Sequence, residues 1–85
     1  MLKISQVRNT SRSTTLRVEG RVVGPWAEEL RQAGQALLAE GLKIRLDLID
    51  VSFADETGMS VILALKKQGV VLTRCSPFLA ELLKH

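Results

Sequence analysis

The sequence has few of the residues on which several classes of small protein depend. Among its 85 residues there is one cysteine, Cys75, and one histidine, His85, which is the last residue. A lone cysteine excludes a disulfide framework within the chain, and these two residues alone cannot complete a zinc site. No apolar run approaches the ~20 residues of a membrane-spanning helix, and the amino terminus lacks the apolar segment of a secretory signal. These absences predict a cytoplasmic protein with a free thiol.

Aromatic residues are also scarce, at 4% of the chain, so the core must be built from leucine, valine, isoleucine and alanine. Apolar residues make up 46% and charged residues 25%, which is the balance of an ordinary folded domain. A chain of this length buries a modest core. We therefore predict one domain over residues 1–85, without separate substrate and cofactor domains.

Hydrophobic periodicity predicts four strands and three helices. Strands are expected where apolar and polar residues alternate, or where a short apolar run occurs: Leu2–Ser5, Leu16–Glu19, Ile44–Leu48 and Val70–Thr73. Helices are expected after Gly24-Pro25, over Gly58–Lys67 and after Ser76-Pro77. Asp50–Gly58 is expected to be a loop.

The order β-β-α-β-α-β-α predicts a two-layer α/β fold with a mixed, mostly parallel four-stranded sheet. Arg17, Arg45 and Asp47 alternate with apolar residues along the central strands, which indicates one polar face of the sheet. We therefore expect the three helices mainly on the other face. The helical residues expected to face the sheet are Trp26, Leu30, Leu37, Ile62, Leu65, Phe78 and Leu82.

One segment carries most of the functional information. Leu46–Met59 ends a strand and opens a helix with the sequence Asp-Glu-Thr-Gly. This arrangement resembles the STAS family, named for sulfate transporters and anti-sigma factor antagonists. Its members carry an apolar strand ending in Asp-Leu, a Val-x-Phe step, and then Asp-Ser-Ser-Gly or a variant. Val18–Arg21 and Leu72–Pro77 match further family segments in the same order, so the resemblance covers nearly the whole chain.

Three departures from the family pattern affect this interpretation. The second predicted helix is about two turns shorter than in family members. The final strand and helix that often follow are missing, and Glu56-Thr57 stands in place of the serine pair. The first two departures predict a compact, C-terminally shortened variant of the fold.

The resemblance implies a non-enzymatic regulatory module whose partner is an anti-sigma factor, a related kinase or another signalling protein. In the antagonist branch, a partner that is both kinase and anti-sigma factor phosphorylates the hydroxyl residue before the glycine. Thr57 occupies that position. A phosphate would add about −1.5 to −2 charges beside Asp55 and Glu56, which predicts a binding switch. The alternative is that Thr57 is a helix N-cap.

The docking site is expected at the Phe53–Gly58 loop and the start of the second helix. Met59 and Leu63 lie four residues apart there, and an exposed apolar pair beside a charged loop is typical of a docking surface. The alternative is that the third helix covers this pair. The predicted site residues are Phe53, Asp55, Glu56, Thr57, Gly58, Met59 and Leu63.

Other chemistry has weaker support in the sequence. Asp47, Asp50, Asp55 and Glu56 gather near one strand end, where Mg²⁺ is conceivable, but hydrogen bonding in the loop and cap is the simpler account. No nucleophile and base can be paired with an orienting group. We therefore predict no metal, cofactor or catalytic residue, and we interpret Cys75 as a partly buried spacer.

Two other functions stay open. The basic residues Lys3, Arg8, Arg12, Arg17 and Arg21 favour a small nucleic-acid-binding protein, although a net charge of +3 and the lack of interleaved aromatics weaken this reading. The family resemblance also admits an accessory subunit of a membrane-transport assembly. In isolation we expect a monomer or weak homodimer, because the first strand is a short pairing edge.

Overall fold

Four strands and three helices are present in a computed structural model that describes residues 2–83. The elements are β1 (Leu2–Arg8), β2 (Ser13–Val22), α1 (Pro25–Ala39), β3 (Lys43–Ala54), α2 (Glu56–Lys67), β4 (Val71–Cys75) and α3 (Pro77–Leu83). The predicted order β-β-α-β-α-β-α is confirmed. Met1, Lys84 and His85 lie outside the described residues.

The strands form one mixed sheet in the order β1-β2-β3-β4. β1 and β2 are antiparallel, and the short turn between them is held by the Thr10 hydroxyl, which accepts hydrogen bonds from the backbone N–H groups of Arg12 (3.1 Å) and Ser13 (3.0 Å). β2, β3 and β4 are parallel because α1 and α2 provide the crossovers between them. The predicted sheet is therefore confirmed.

β3 continues to Ala54, so the loop predicted at Asp50–Gly58 is wrong. Relative to β2, this strand has an extra residue between Asp47 and Asp50 and another between Val51 and Phe53. Each extra residue is a bulge that shifts the alternation of side chains. Beyond the bulges, Val51 and Ala54 are buried, whereas Asp50 and Phe53 are exposed.

α1 and α2 cover one face of the sheet and pack against each other. Full burial of one leucine or isoleucine side chain stabilises the fold by about 1.5–3 kcal/mol, so aliphatic residues can supply the core without aromatics. The largest fully buried apolar side chains are Leu30, Leu46, Leu48, Ile62, Leu65, Leu79, Val18, Val22 and Val51.

Two helical residues expected to face the sheet are instead exposed. Trp26 is 37% exposed and Leu82 is 40% exposed. At the start of α1 the buried residue is Ala27, the neighbour of Trp26, and the buried stripe continues through Leu30. In α3 the fully buried residue is Leu79. Ser76 caps the start of α3, since its hydroxyl accepts a hydrogen bond from the Leu79 backbone N–H at 3.4 Å.

The other face of the sheet is polar and carries ion pairs between strands. Arg74 of β4 donates to the carboxylate of Asp47 at 2.6 Å, and Arg17 of β2 donates to Asp50 at 2.9 Å. Asp47 is buried beneath the Arg74 side chain, whereas Arg45 on the same strand is exposed. Hydrogen bonding from Arg74 holds the pKa of Asp47 below its usual value, although burial acts in the opposite direction.

Removal of the Arg74 guanidinium should destabilise the fold in a pH-dependent way. Because the folded-state pKa of Asp47 is lowered, its contribution is complete above the unfolded carboxylate value of about 3.9 and is lost as the pH falls through the folded value. We expect Arg74→Ala to lower the free energy of unfolding at pH 7. The difference from the wild type should shrink below about pH 4.

Urea unfolding from pH 7 to pH 3 measures this effect. Arg45→Ala is the matched control, because Arg45 is an exposed arginine of the same face for which residues 2–83 provide no ion pair. If the difference in the free energy of unfolding between the wild type and Arg74→Ala stayed constant down to pH 3, the loss would come from packing and not from the ion pair.

Candidate functional site

Asp55 joins the starts of both sheet-covering helices. It is the N-cap of α2, and its Oδ1 accepts a hydrogen bond from the Gly58 backbone N–H at 2.7 Å. Its Oδ2 accepts from the backbone N–H of Gly24 at 3.1 Å, directly before α1. Gly24 has a φ of 50°, a conformation that residues with a side chain rarely adopt. One carboxylate therefore satisfies backbone donors from two helix starts.

Gly58 allows the first turn of α2 to approach the end of β2 closely. A Cβ atom at this position would lie 2.0 Å from the backbone oxygen of Val22. The same oxygen accepts a hydrogen bond from the Asp55 N–H at 3.3 Å, so it cannot move away without loss of that bond. Glycine is therefore a steric requirement of this helix start.

Thr57 is not the N-cap, because Asp55 performs that role. Both Glu56 and Thr57 are exposed in the first turn of α2. Within residues 2–83 the Thr57 hydroxyl forms no hydrogen bond. The structure thus contradicts the capping interpretation and leaves the hydroxyl accessible at a helix start.

Met59 and Leu63 differ in their burial. Met59 is partly buried against the core, whereas Leu63 is 44% exposed. Leu63 lies on the outer face of α2 in a shallow groove, which is lined by Ser60, Leu63, Ala64, Lys66 and Lys67. Leu63 is therefore not covered by α3, and the predicted apolar pair has one exposed member.

The Phe53 side chain lies on a different face of the protein from the other predicted site residues. The strand register places it beside Arg21 on the polar face, opposite Val22 and Ala54. The Arg21 guanidinium lies 5.4 Å from the centre of the Phe53 ring, and the Phe78 ring of α3 lies 5.3 Å from it. Phe53 therefore helps to attach α3 to the sheet and does not share the outer face of α2.

Trp26 is a candidate site residue that the sequence interpretation assigned to the core. It follows Gly24 by two residues, and the hydrogen bond between Gly24 and Asp55 places the start of α1 beside the start of α2. The indole is 37% exposed. Spacing alone could not have revealed this, because Trp26 precedes Leu30 by four residues and Leu37 by eleven, which is the periodicity of a buried helix face.

Three of the four carboxylates considered for a metal site have structural roles. Asp47 pairs with Arg74, Asp50 pairs with Arg17, and Asp55 holds the helix starts. Among residues 2–83, no three His, Cys, Asp or Glu side chains are grouped so that they could hold a metal ion. Burial raises the pKa of the Cys75 thiol, which disfavours the reactive thiolate.

Comparison with known proteins identifies the family. The model for a family described as "Mlab, STAS domain" matches residues 5–85, and the chain belongs to the STAS domain family. The resemblance recognised in the sequence is thereby confirmed. No curated protein matches the chain in sequence. Of the helices in the described part of the chain, none has the length and apolar character needed to cross a membrane.

Solved structures share the fold at low sequence identity. The anti-sigma factor antagonist SpoIIAA in its unphosphorylated form has a TM-score of 0.71 and 17% identity, over 96% of this chain and 82% of that one. An anti-sigma factor antagonist from Mycobacterium paratuberculosis has a TM-score of 0.71 and 18% identity, over 87% of this chain and 66% of that one. A protein named Mglu has a TM-score of 0.63 and 23% identity, over 84% of this chain and 19% of that one.

Two glycine-to-alanine variants should separate the steric requirement from helix propensity. Gly58→Ala should lower the free energy of unfolding by about 3 kcal/mol or more, because the new methyl group meets a fixed backbone oxygen. Gly34→Ala meets the flexible end of Leu65 and gains helix propensity, so its change should be less than about 1 kcal/mol. Urea denaturation of both variants measures the difference, and equal effects would contradict the proposed clash at Gly58.

Substitutions at Asp55 and Thr57 should show which residue caps α2. Asp55→Ala should cost about 2 kcal/mol, the upper range for an N-cap, because two backbone donors lose their acceptor. Asp55→Asn retains one acceptor oxygen and should cost less. Thr57→Ala should change the free energy of unfolding by less than about 0.5 kcal/mol. Thermal melts test this order, and a larger loss for Thr57→Ala than for Asp55→Ala would reverse the assignment.

Proposed function

We propose that this chain is a non-enzymatic regulatory module that binds a protein partner at the start of α2. The proposed docking surface consists of Trp26, Glu56, Thr57, Met59 and Leu63, and Thr57 is its switch residue. Membership of the STAS family supports an interaction role, as do structural neighbours described as anti-sigma factor antagonists. The partner that this resemblance favours is an anti-sigma factor or a related signalling kinase.

The observation that carries the proposal is the division of roles between Asp55 and Thr57. Asp55 holds the backbone donors of the helix starts, while the exposed Thr57 hydroxyl has no structural bond within residues 2–83. A modification of Thr57 therefore removes no cap. The fold can persist while the charge of the docking surface changes.

Phosphorylation would act on this surface through charge. A phosphate adds about −1.5 to −2 charges and is tolerated at a helix start, where backbone dipoles favour anions. Here the phosphate would stand next to Glu56 and close to Asp55. We therefore expect phosphorylation of Thr57 to release a partner whose surface fits closely against the unmodified, uncharged hydroxyl.

The apolar part of the surface would supply most of the affinity. Trp26, at the start of α1, is 37% exposed, and Leu63, in the middle of α2, is 44% exposed. Tryptophan in particular is enriched among residues that dominate binding energy at interfaces. Truncation of Trp26 is consequently expected to weaken binding without loss of the core, because its neighbour Ala27 fills the buried position.

Affinity capture from the native cell tests the switch with wild type, Thr57→Ala and Thr57→Glu. We expect Thr57→Ala to retain the partner. Thr57→Glu should bind it with an affinity that is lower by about tenfold or more, and tenfold corresponds to 1.4 kcal/mol. Mass spectrometry should show phosphate on Thr57 in the wild-type protein that is recovered without its partner.

Ser11→Glu is the matched control, because it adds the same charge to an exposed residue in the turn between β1 and β2. Melting curves show whether each variant is folded. Equal capture by wild type and Thr57→Glu would refute the switch. Unaltered capture by Trp26→Ala together with Leu63→Ala would refute the docking surface itself.

A further inference from the structure

Positive charge is concentrated at one end of the sheet. β2, β3 and β4 are parallel, so their first residues lie at the same end, together with the last residues of β1, α1 and α2. Segments 8–13, 40–45 and 66–71 meet there and contain one acidic residue, Glu40. The cations of these segments are Arg8, Arg12, Lys43, Arg45, Lys66 and Lys67.

This basic end contains a cleft of about 600 Å³ between the β1–β2 turn and the starts of β3 and β4. Its lining includes Thr10, Arg12, Ser13, Lys43, Arg45 and Val71. Clefts of 300–1,000 Å³ are typical of small-molecule sites. Val71 is 57% exposed and gives the cleft one apolar wall beside its cations.

The three cations of the cleft differ from other arginines of the polar face. Arg17 and Arg74 are each paired with an aspartate. In the part of the chain that the structure describes, no acidic side chain lies within 4.0 Å of the charged groups of Arg12, Lys43 or Arg45. A cleft lined by charges of one sign concentrates the field and attracts counter-ions.

The backbone around the cleft is held in place before any ligand arrives. The Thr10 hydroxyl accepts hydrogen bonds from the N–H groups of Arg12 and Ser13. The Lys43 N–H donates to the backbone oxygen of Arg12 at 2.8 Å, which joins the turn to the start of β3. A ligand would therefore order side chains but not the backbone, which lowers the entropic cost of binding.

We infer that this cleft is a binding site for a phosphate-bearing anion. Guanidinium groups match the geometry of phosphate oxygens, and an ammonium group adds a compact charge. Three cations lining one cleft also suit the multiple charges of a phosphate better than the single charge of a carboxylate. The site lies at the opposite end of β3 from Asp55 and Thr57, so it does not depend on the proposed docking function.

Calorimetric titration with inorganic pyrophosphate, at constant ionic strength, tests the site directly. Arg45→Gln should weaken pyrophosphate binding by about tenfold or more, since a hydrogen bond to a charged group contributes 1.5–3 kcal/mol and 1.4 kcal/mol is tenfold. Arg8→Gln is the matched control: it removes the same charge from the same end of the sheet but does not line the cleft. It should change the affinity by less than about twofold.

A second arm distinguishes a soluble phosphate from a lipid headgroup. Vesicles of phosphatidylglycerol, compared with vesicles of phosphatidylcholine, show whether the cleft takes its phosphate from a membrane surface. Pyrophosphate binding that Arg45→Gln weakens and Arg8→Gln does not supports a soluble ligand. Binding to phosphatidylglycerol vesicles without binding of pyrophosphate, weakened by Arg45→Gln but not by Arg8→Gln, supports a lipid headgroup.

The inference is overturned if neither pyrophosphate nor phosphatidylglycerol binds. It is also overturned if Arg8→Gln and Arg45→Gln weaken binding equally, because the effect would then reflect net charge. Retention of a DNA or RNA oligonucleotide that both variants reduce equally would assign the basic end to nucleic acid instead. Thermal melts of both variants confirm that each is folded during these measurements.

Discussion

The carboxylate of Asp55 is the interaction on which the arrangement of the helices depends. Its two oxygens accept hydrogen bonds from Gly24 and Gly58, so that α1 and α2 begin at a common point. This common starting point places α1 and α2 side by side on the sheet. Ala27 of α1 and Ile62 of α2 are both fully buried in the same core. The contact is local in each helix but long-range in the chain, since it joins residues 31 positions apart.

Assignment of capping to Asp55 leaves the next two residues available for other roles. In the first turn of α2, Gly58 is pressed against the Val22 backbone, while Glu56 and Thr57 face outward. Four consecutive residues therefore divide structural and surface roles between them. Stability constrains the aspartate and the glycine, whereas the chemistry of residues 56 and 57 can change with little effect on the fold.

Periodicity was sufficient to predict the element order and the parallel sheet, because α1, β2 and most of α2 follow simple repeats. It failed where geometry departs from those repeats. Two bulges in β3 disguised Asp50–Ala54 as a loop, because each bulge reverses the alternation of side chains. Trp26 was assigned to the core because it precedes Leu30 by four residues, whereas the structure buries its neighbour Ala27 at the start of α1. The N-cap was identified only from hydrogen bonds, since Asp55 and Thr57 are both common capping residues.

The separation of charge along the parallel strands makes this small protein an electric dipole. Its longest dimension is 32 Å. Arg12, Lys43 and Arg45, which form no ion pair within residues 2–83, lie at one end of the sheet, and acidic Asp55 and Glu56 lie at the start of α2 near the other end. In the field of a charged surface such a molecule rotates before contact is made. Orientation during diffusion would then depend on salt concentration, so that the association rate and not the lifetime of a complex would carry most of the ionic-strength dependence.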